Sequence, residues 1–358
     1  MVTRGSISLK RRDAFLISTF AVVLAGAGIS AGFGHAQNRA GATAHTQATS
    51  LGEGVSKGAA STANRGVVRI GYQLDGTDII LKAKKWLDED LQKKGYRVQW
   101  IQFVGGPQLL QAMNAGAIDF GETGDAPPIF AQAAGTPLLY LAHEPADPKG
   151  EAILVPPNSP IHTVKDLKGK TIALNKGSNV EYMLVQQLKK AGLTIHDVTL
   201  DFLTPPNARA AFEGGKVDAW AIWDPYEASA ENTMHARAIA DGTGVTNNYQ
   251  FYYVTRSFAQ QHPDIVQDYL SGLEQADEWV NQHKLDTAKL LAPQMDIDVT
   301  SLYQSFAKHR FGIEPITKDI VAEQQSIANE FYQLGLIPNP IRVQDDVWQG
   351  TFHLHKLP

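Results

Sequence analysis

The sequence predicts an α/β protein built from two similar lobes, and three observations point there. Short apolar runs alternate with amphipathic helices from Val67 onward, the pattern of parallel sheets covered by helices on both faces. Asn158-Ser159-Pro160 interrupts that pattern, and a second series of the same kind begins beyond it. Gly116-Ala117-Ile118-Asp119 and Gly215-Lys216-Val217-Asp218 repeat 99 positions apart, with Asp125 and Asp224 following at the same offset. Gly-x-Ile/Val-Asp is ordinary helix-to-strand chemistry. Its sharper reading is a pair of lobes facing each other across a ligand, because ligands gather at strand carboxyl ends in open α/β sheets.

The first series runs as follows. Val67 to Tyr72 reads as a strand, and Asp78 to Lys94 as one helix with Ile80, Ala83, Trp86, Leu87 and Leu91 on one face, stopped by Gly95. Strands are expected at Val98 to Val104, Ile118 to Phe120, Leu138 to His143 and Ala152 to Val155, with helices at Pro107 to Ala115 and Ala126 to Ala134. In the second series, Thr171 to Leu174, Val198 to Phe202 and Val217 to Trp223 read as strands. Asn179 to Lys190 and Ala208 to Glu213 read as helices. Phe251 to Val254 is one more strand, and from Pro263 the chain is nearly all helix, ending in a polar tail.

The first residues read as a targeting signal. Arg4, Lys10, Arg11 and Arg12 precede an apolar run from Phe15 to Ile29, and Gly34-His35-Ala36 supplies the small residues of a cleavage site. That assigns 1–36 to a signal peptide; the alternative is a retained N-terminal anchor, for which the apolar run is short and Gly-rich. The segment 37–66, rich in Ala, Gly, Thr, Ser and Gln, reads as a disordered linker, since it has too little apolar surface to offset its ordering entropy. The chain has no cysteine, which excludes disulfides, thiolate metal sites and a lipid-anchored Cys. The reading is a freely diffusing exported protein of the periplasm. Removing the leader's +3 (four basic residues against Asp13) from the formal −5 leaves −8. So acidic a chain is not a nucleic-acid binder, and any anion it takes must be held by local donors.

Three loops set helix N-termini at strand carboxyl ends. In Val104-Gly105-Gly106-Pro107-Gln108, Pro107 pre-sets the first helical dihedral and glycine lets backbone approach a ligand. Gly106 and Gln108 are therefore candidates, or the loop is a plain helix start. In Thr123-Gly124-Asp125, Thr123 and Gly124 are candidate anion donors, and Asp125 either caps its helix or meets the organic end of a ligand. In Lys176-Gly177-Ser178, the Gly177 and Ser178 amides form a small donor cluster, and Lys176 is either a contact or a solvated loop lysine. Trp223 and Tyr226 flank Asp224 and are candidates to cover an alkyl group, whereas alternating Trp220 and Ile222 read as core. Gln73 ends the first strand with both a donor and an acceptor.

Four segments resemble the aliphatic-sulfonate-binding proteins of ABC importers. They are Val68-Arg69-Ile70-Gly71-Tyr72-Gln73, Gly106-Pro107-Gln108-Leu109-Leu110, the run from Gly121 to Gly135, and Asp218-Ala219-Trp220-Ala221-Ile222-Trp223-Asp224-Pro225-Tyr226. The likeness extends from about Val67 to Trp348. It departs at Leu74-Asp75-Gly76-Thr77 and at Asn179 to Tyr182. The resemblance implies a two-lobed periplasmic-binding-protein type II fold with a hinged cleft. Lobe I would be 67–155 plus 251–358, and lobe II 156–250. It also implies an aliphatic sulfonate as ligand, an importer permease and its ATPase as partners, and a monomer without a cofactor. The alternatives are a carrier of taurine, nitrate or a sulfate ester, and an exported enzyme. The superfamily also resembles thiamine-pyrimidine synthases, but no Cys-rich motif is present, and no catalytic residue is assigned. The eleven histidines are scattered; His309-Arg310 reads as a helix terminus, and His353-x-His355 lies in the tail.

Overall fold

The computed structural model describes residues 66–351 and residue 353. The expected signal peptide (1–36), His355 and all of the expected linker except Gly66 lie outside the described residues. Three passages of chain build the molecule. The first comprises β1 (Gly66–Tyr72), α1 (Asp78–Lys84), α2 (Trp86–Lys93), β2 (Tyr96–Gln102), α3 (Gly106–Asn114), β3 (Phe120–Gly124), α4 (Pro127–Ala133) and β4 (Leu138–His143). The second comprises β5 (Glu151–Val155), β6 (Thr171–Leu174), α5 (Asn179–Lys190), β7 (Thr199–Phe202), α6 (Pro205–Glu213), β8 (Ala219–Trp223), α7 (Tyr226–Met234) and β9 (Arg237–Asp241). The return passage comprises β10 (Gln250–Thr255), α8 (Arg256–Gln261), α9 (Pro263–Gln282), α10 (Lys284–Met295), α11 (Val299–Lys308), β11 (Glu314–Pro315) and α12 (Lys318–Gln333).

The strands form two sheets, ordered β11-β4-β10-β3-β1-β2 and β7-β6-β8-β5-β9. Omitting the short edge strand β11 and reading from β2 and β7, the two orders correspond: β2-β1-β3-β10-β4 matches β7-β6-β8-β5-β9. Each sheet has a parallel core. With β11 left aside, each also has one strand antiparallel to both neighbours, β10 in the first and β5 in the second. The purely parallel sheets expected from the alternation are therefore mixed. The reason is topological: β5 and β10 are the strands by which the chain passes between the sheets, and neither is reached through a helical crossover. The expected lobe division placed 152–155 with the first lobe, but β5 pairs with β8 and β9 in the second sheet.

The sequence echo has a structural counterpart. Asp119 accepts from the Arg69 amide at 2.9 Å, while its own amide donates to the Arg69 carbonyl at 2.8 Å. Asp218 does the same with Thr171, both bonds at 2.8 Å. Gly116 and Gly215 precede them with φ of 70° and 61°, in the left-handed region where glycine is favoured. Each lobe thus uses the same device to start its third core strand.

Burial follows the pleat. In β10, Tyr252 and Val254 join the core under α1, α9 and α10, while Phe251 and Tyr253 join the core under α4 and α12, as the period of two requires for a sheet covered on both faces. A third core, containing Trp220 and Ile222, fills the second sheet. The single helix expected over Asp78 to Lys94 is broken at Lys85, whose φ is 60°. The break re-aims the chain so that α1 and α2 both pack on α9, with Ile79, Ile80 and Leu81 buried from one and Leu87 and Leu91 from the other.

Candidate functional site

A cleft of about 730 Å³, its open mouth included, lies where the carboxyl ends of the two sheets face each other. From the first sheet come Gln73, just past β1, Gly106, past β2, and Gly124, ending β3; from the second come Asn179, at the start of α5, Trp223, ending β8, and Asp224, just past it. Asp147 and Gly150 on the outward connection and Asn248 and Gln250 on the return complete the wall, with Ser305, Phe306, His309 and Phe311 from α11 and the segment after it.

Glycine keeps the backbone of this wall closely packed, at Gly106 within the first lobe and at Gly124 against the second. A Cβ on Gly106 would stand 2.9 Å from the Thr123 Cβ, and one on Gly124 would stand 3.0 Å from the Asn179 Cβ across the cleft. Gly106 and Asn179 each open a helix, so their first-turn amides precede the internal hydrogen-bond ladder and face outward. The positive ends of two helix dipoles therefore reach the same cleft. Asn179 itself is held by two bonds of 2.9 Å from its Nδ2, to Glu151 Oε2 and Asn248 Oδ1. Gln73 Nε2 donates to the Glu122 carbonyl at 3.0 Å.

The cleft is also rich in carboxyl groups: Asp75, Glu144, Asp147 and Asp224. Two cations answer three of them. His309 donates from Nδ1 to Asp147 Oδ2 at 2.7 Å and from Nε2 to Glu144 Oε2. Burial pulls its pKa down, but the two carboxylates outweigh that and push it up to about 10, so it is an imidazolium at neutral pH. Lys308 reaches Asp224 Oδ2 at 2.7 Å and Glu227 Oε1 at 3.0 Å. Burial nevertheless raises Asp224, and it lifts Glu227 to about 8. Asp75 is ion-paired with neither: burial and then the Glu144 charge push it up to about 7 against the opposing pull of the His309 charge, and its Oδ1 accepts no hydrogen bond.

Of the residues singled out in the sequence, Gln73, Gly106, Gly124, Trp223 and Asp224 line this cleft. The others do not. Gln108 forms a reciprocal amide pair with Asn175 of the facing lobe, both bonds 3.3 Å. Thr123 is buried, and its hydroxyl is used by the Gly124 carbonyl at 2.9 Å and Tyr253 at 3.3 Å. Asp125 turns away into a second cavity beside Tyr182, Tyr249, Glu323 and Gln324, where burial pushes it up to about 7. Lys176 is exposed and lies 5.3 Å from the Phe202 ring. Gly177 donates its amide to Glu181 Oε2 at 2.5 Å, and the Ser178 hydroxyl donates to the Asn175 carbonyl at 2.6 Å. The donor cluster expected there is spent within its own turn. Tyr226 packs edge-on against Trp223, behind the cleft wall.

Asp75, Glu144, Asp147, Asn179, Asn248, Gln250 and the α11 residues line the cleft without having been expected from the sequence, where His309 reads as a helix terminus. Asp75 and Asn179 did carry a signal, since both lie in the two segments that depart from the resemblance. The residues from 144 to 150 and 305 to 311 had none, because they meet only through the fold.

The family model described as NMT1/THI5 like matches residues 91–284. A protein of Escherichia coli (strain K12) named as an aliphatic sulfonates-binding protein is 40% identical over 286 residues, 79% of this chain and 89% of that one. Among solved structures, the alkanesulfonate-binding protein SsuA from Xanthomonas axonopodis pv. citri, bound to MOPS, superposes with a TM-score of 0.76 at 38% identity, covering 80% of this chain and 99% of that one. The periplasmic aliphatic sulphonate binding protein SsuA from Escherichia coli gives 0.72 at 38% identity, covering 82% and 96%. The chain thus belongs to the NMT1/THI5-like family and, within it, to the aliphatic sulfonates-binding proteins.

Proposed function

We propose that this chain is the solute-binding component of an ABC importer and captures aliphatic sulfonates outside the cytoplasm, with the cleft between the sheets as its site. The observation that carries the reading is the convergence of two helix N-termini, at Gly106 and Asn179, on one interlobe cleft in a chain of this family. A sulfonate is ionised at any physiological pH and can only accept hydrogen bonds. Each charge-assisted bond contributes about 1.5–3 kcal/mol net, so a handful offsets the association cost and reaches the roughly −8 kcal/mol of micromolar binding. Gly106, Gly124, Asn179 and Gln250 are the proposed contacts to the head group, and Trp223, Phe306 and Phe311 the cover for the organic part.

The protein acts as a carrier and not as an exported enzyme, and His309 supports this. It is the histidine in the cleft wall, and both of its ring nitrogens are engaged by carboxylates, which leaves no free lone pair for a general base. The expected partners are a membrane permease with its ATPase, met by a monomer delivered to the periplasm by its leader. Titration calorimetry with methane-, ethane-, octane- and benzenesulfonate, taurine, sulfate and nitrate tests the reading. Saturable binding of sulfonates without turnover, and negligible binding of sulfate and nitrate, is expected. Tighter binding of sulfate or nitrate would sink it.

A further inference from the structure

Three buried polar atoms of the cleft wall make no hydrogen bond; Asp224 Oδ2 is ion-paired with Lys308, which leaves two unanswered, and they are of opposite kind. Gln250 Nε2 is a donor without an acceptor, and Asp75 Oδ1 is an acceptor without a donor. The surrounding carboxyl groups are served: Glu144 by Thr77, Tyr252 and His309, Asp147 by His309, and Asp224 by Lys308 and the Ala228 amide. Asp75 is therefore the carboxyl group in this wall that has a buried oxygen without a partner and no cation bound to it.

Leaving a buried acceptor unpaired costs about 1–3 kcal/mol, more when it is charged. An alkanesulfonate with a hydrocarbon tail answers Gln250 and the helix amides but leaves Asp75 unpaired. It also adds a negative charge to a wall where two cations face four carboxyl groups. A sulfonate carrying a protonated amine meets both demands, its head group accepting from Gln250 and the helix starts while its ammonium donates to Asp75. Placement in one cleft makes both ends of such a ligand complementary to the protein at once.

Building on the sulfonate reading above, we propose that the preferred ligands are zwitterionic sulfonates, with a terminal ammonium seated at Asp75. Asp75 is then the residue that sets specificity within the class, and the uncharged-tail sulfonates are secondary ligands.

A matched pair tests this without any variant. Aminopropanesulfonate with a terminal amine and butanesulfonate have the same number of heavy atoms and differ by one ammonium for one methyl. Calorimetry on the mature protein should give the amine at least about tenfold tighter binding, the worth of one charge-assisted bond. Asp75→Asn, which keeps the shape and removes the charge, should bring the ratio of the two affinities close to one, and a thermal melt checks that the variant is folded. Equal or tighter binding of butanesulfonate by the wild-type protein would overturn the proposal while leaving the sulfonate reading intact. A ratio that survives Asp75→Asn would overturn the role of Asp75. If neither sulfonate bound, the reading on which the proposal rests would fall as well.

Discussion

Ser178 shows how a residue can carry the right chemistry in the wrong direction. Its position before a helix marked it as an anion donor, yet its hydroxyl closes onto the Asn175 carbonyl at 2.6 Å and the residue is buried. Ser178→Ala should therefore cost about 1 kcal/mol of stability, one ordinary hydrogen bond, and leave sulfonate affinity unchanged within about twofold. Urea unfolding and calorimetry on the same sample separate the two effects, and a large loss of affinity would return Ser178 to the site. Gly106, Gly124, Gln73, Trp223 and Asp224 were legible because strand-end position alone fixes which wall they join. Side-chain direction at Thr123 and Ser178 was not, because each had a neighbouring backbone group or core tyrosine competing for it. His309 lay further out of reach. Its role depends on Glu144 and Asp147, more than 160 residues away in sequence, and no local pattern reports such a meeting.

Elements explain what holds the two lobes together. On one flank α11 meets α7: Lys308 pairs with Asp224 and Glu227, and Asn232 Nδ2 donates to Ser301 Oγ at 3.0 Å. On the other, α5 meets α12, where Gln186 and Lys189 reach Glu330 at 2.6 and 3.0 Å and Tyr182 packs edge-on against Phe331. The two seams differ in burial. The Lys189 side chain is 70% exposed and that of Lys308 29%. Glu330→Ala should accordingly change unfolding stability by less than about 1 kcal/mol. Lys308→Ala strands two carboxyl groups side by side and should cost about 1–3 kcal/mol, discounted from a fully buried pair for its partial exposure. Comparable losses from the two variants would contradict this ranking. Helices with a clear apolar stripe, such as α5 and α9, were readable in the sequence. The strand β9 and the helix α7 were not: β9 is five half-buried or exposed residues at a sheet edge, and α7 carries too weak a stripe to stand out.

For the whole molecule the repeat is the informative feature, since matched strand orders with Asp119 and Asp218 in matched roles put two strand-end surfaces opposite each other. The sequence contained that repeat, but not which sheet each connecting strand joins, because register and partner are tertiary choices. Charge burial gives the fold a pH signature. Burial pushes Asp75 and Asp125 up to about 7 and Asp78 and Glu227 to about 8, above the roughly 4 of an unfolded chain. The folded state then binds more protons between those limits, so stability falls as pH rises from about 4 through about 8. His309 acts in the same direction. Its contribution is complete below its unfolded pKa of about 6.5 and is lost as pH rises through about 10. Thermal melts should give a higher Tm at about pH 6 than at about pH 8.5, and the opposite order would contradict the assignment of these buried charges. The most direct measurement is a crystal structure of the protein with an alkanesulfonate. The sulfonate oxygens should lie within about 3 Å of amides at the starts of α3 and α5 or of Gln250, the range of an ordinary N–H donor. A head group bound outside the cleft between the two sheets would contradict the site proposed for this protein.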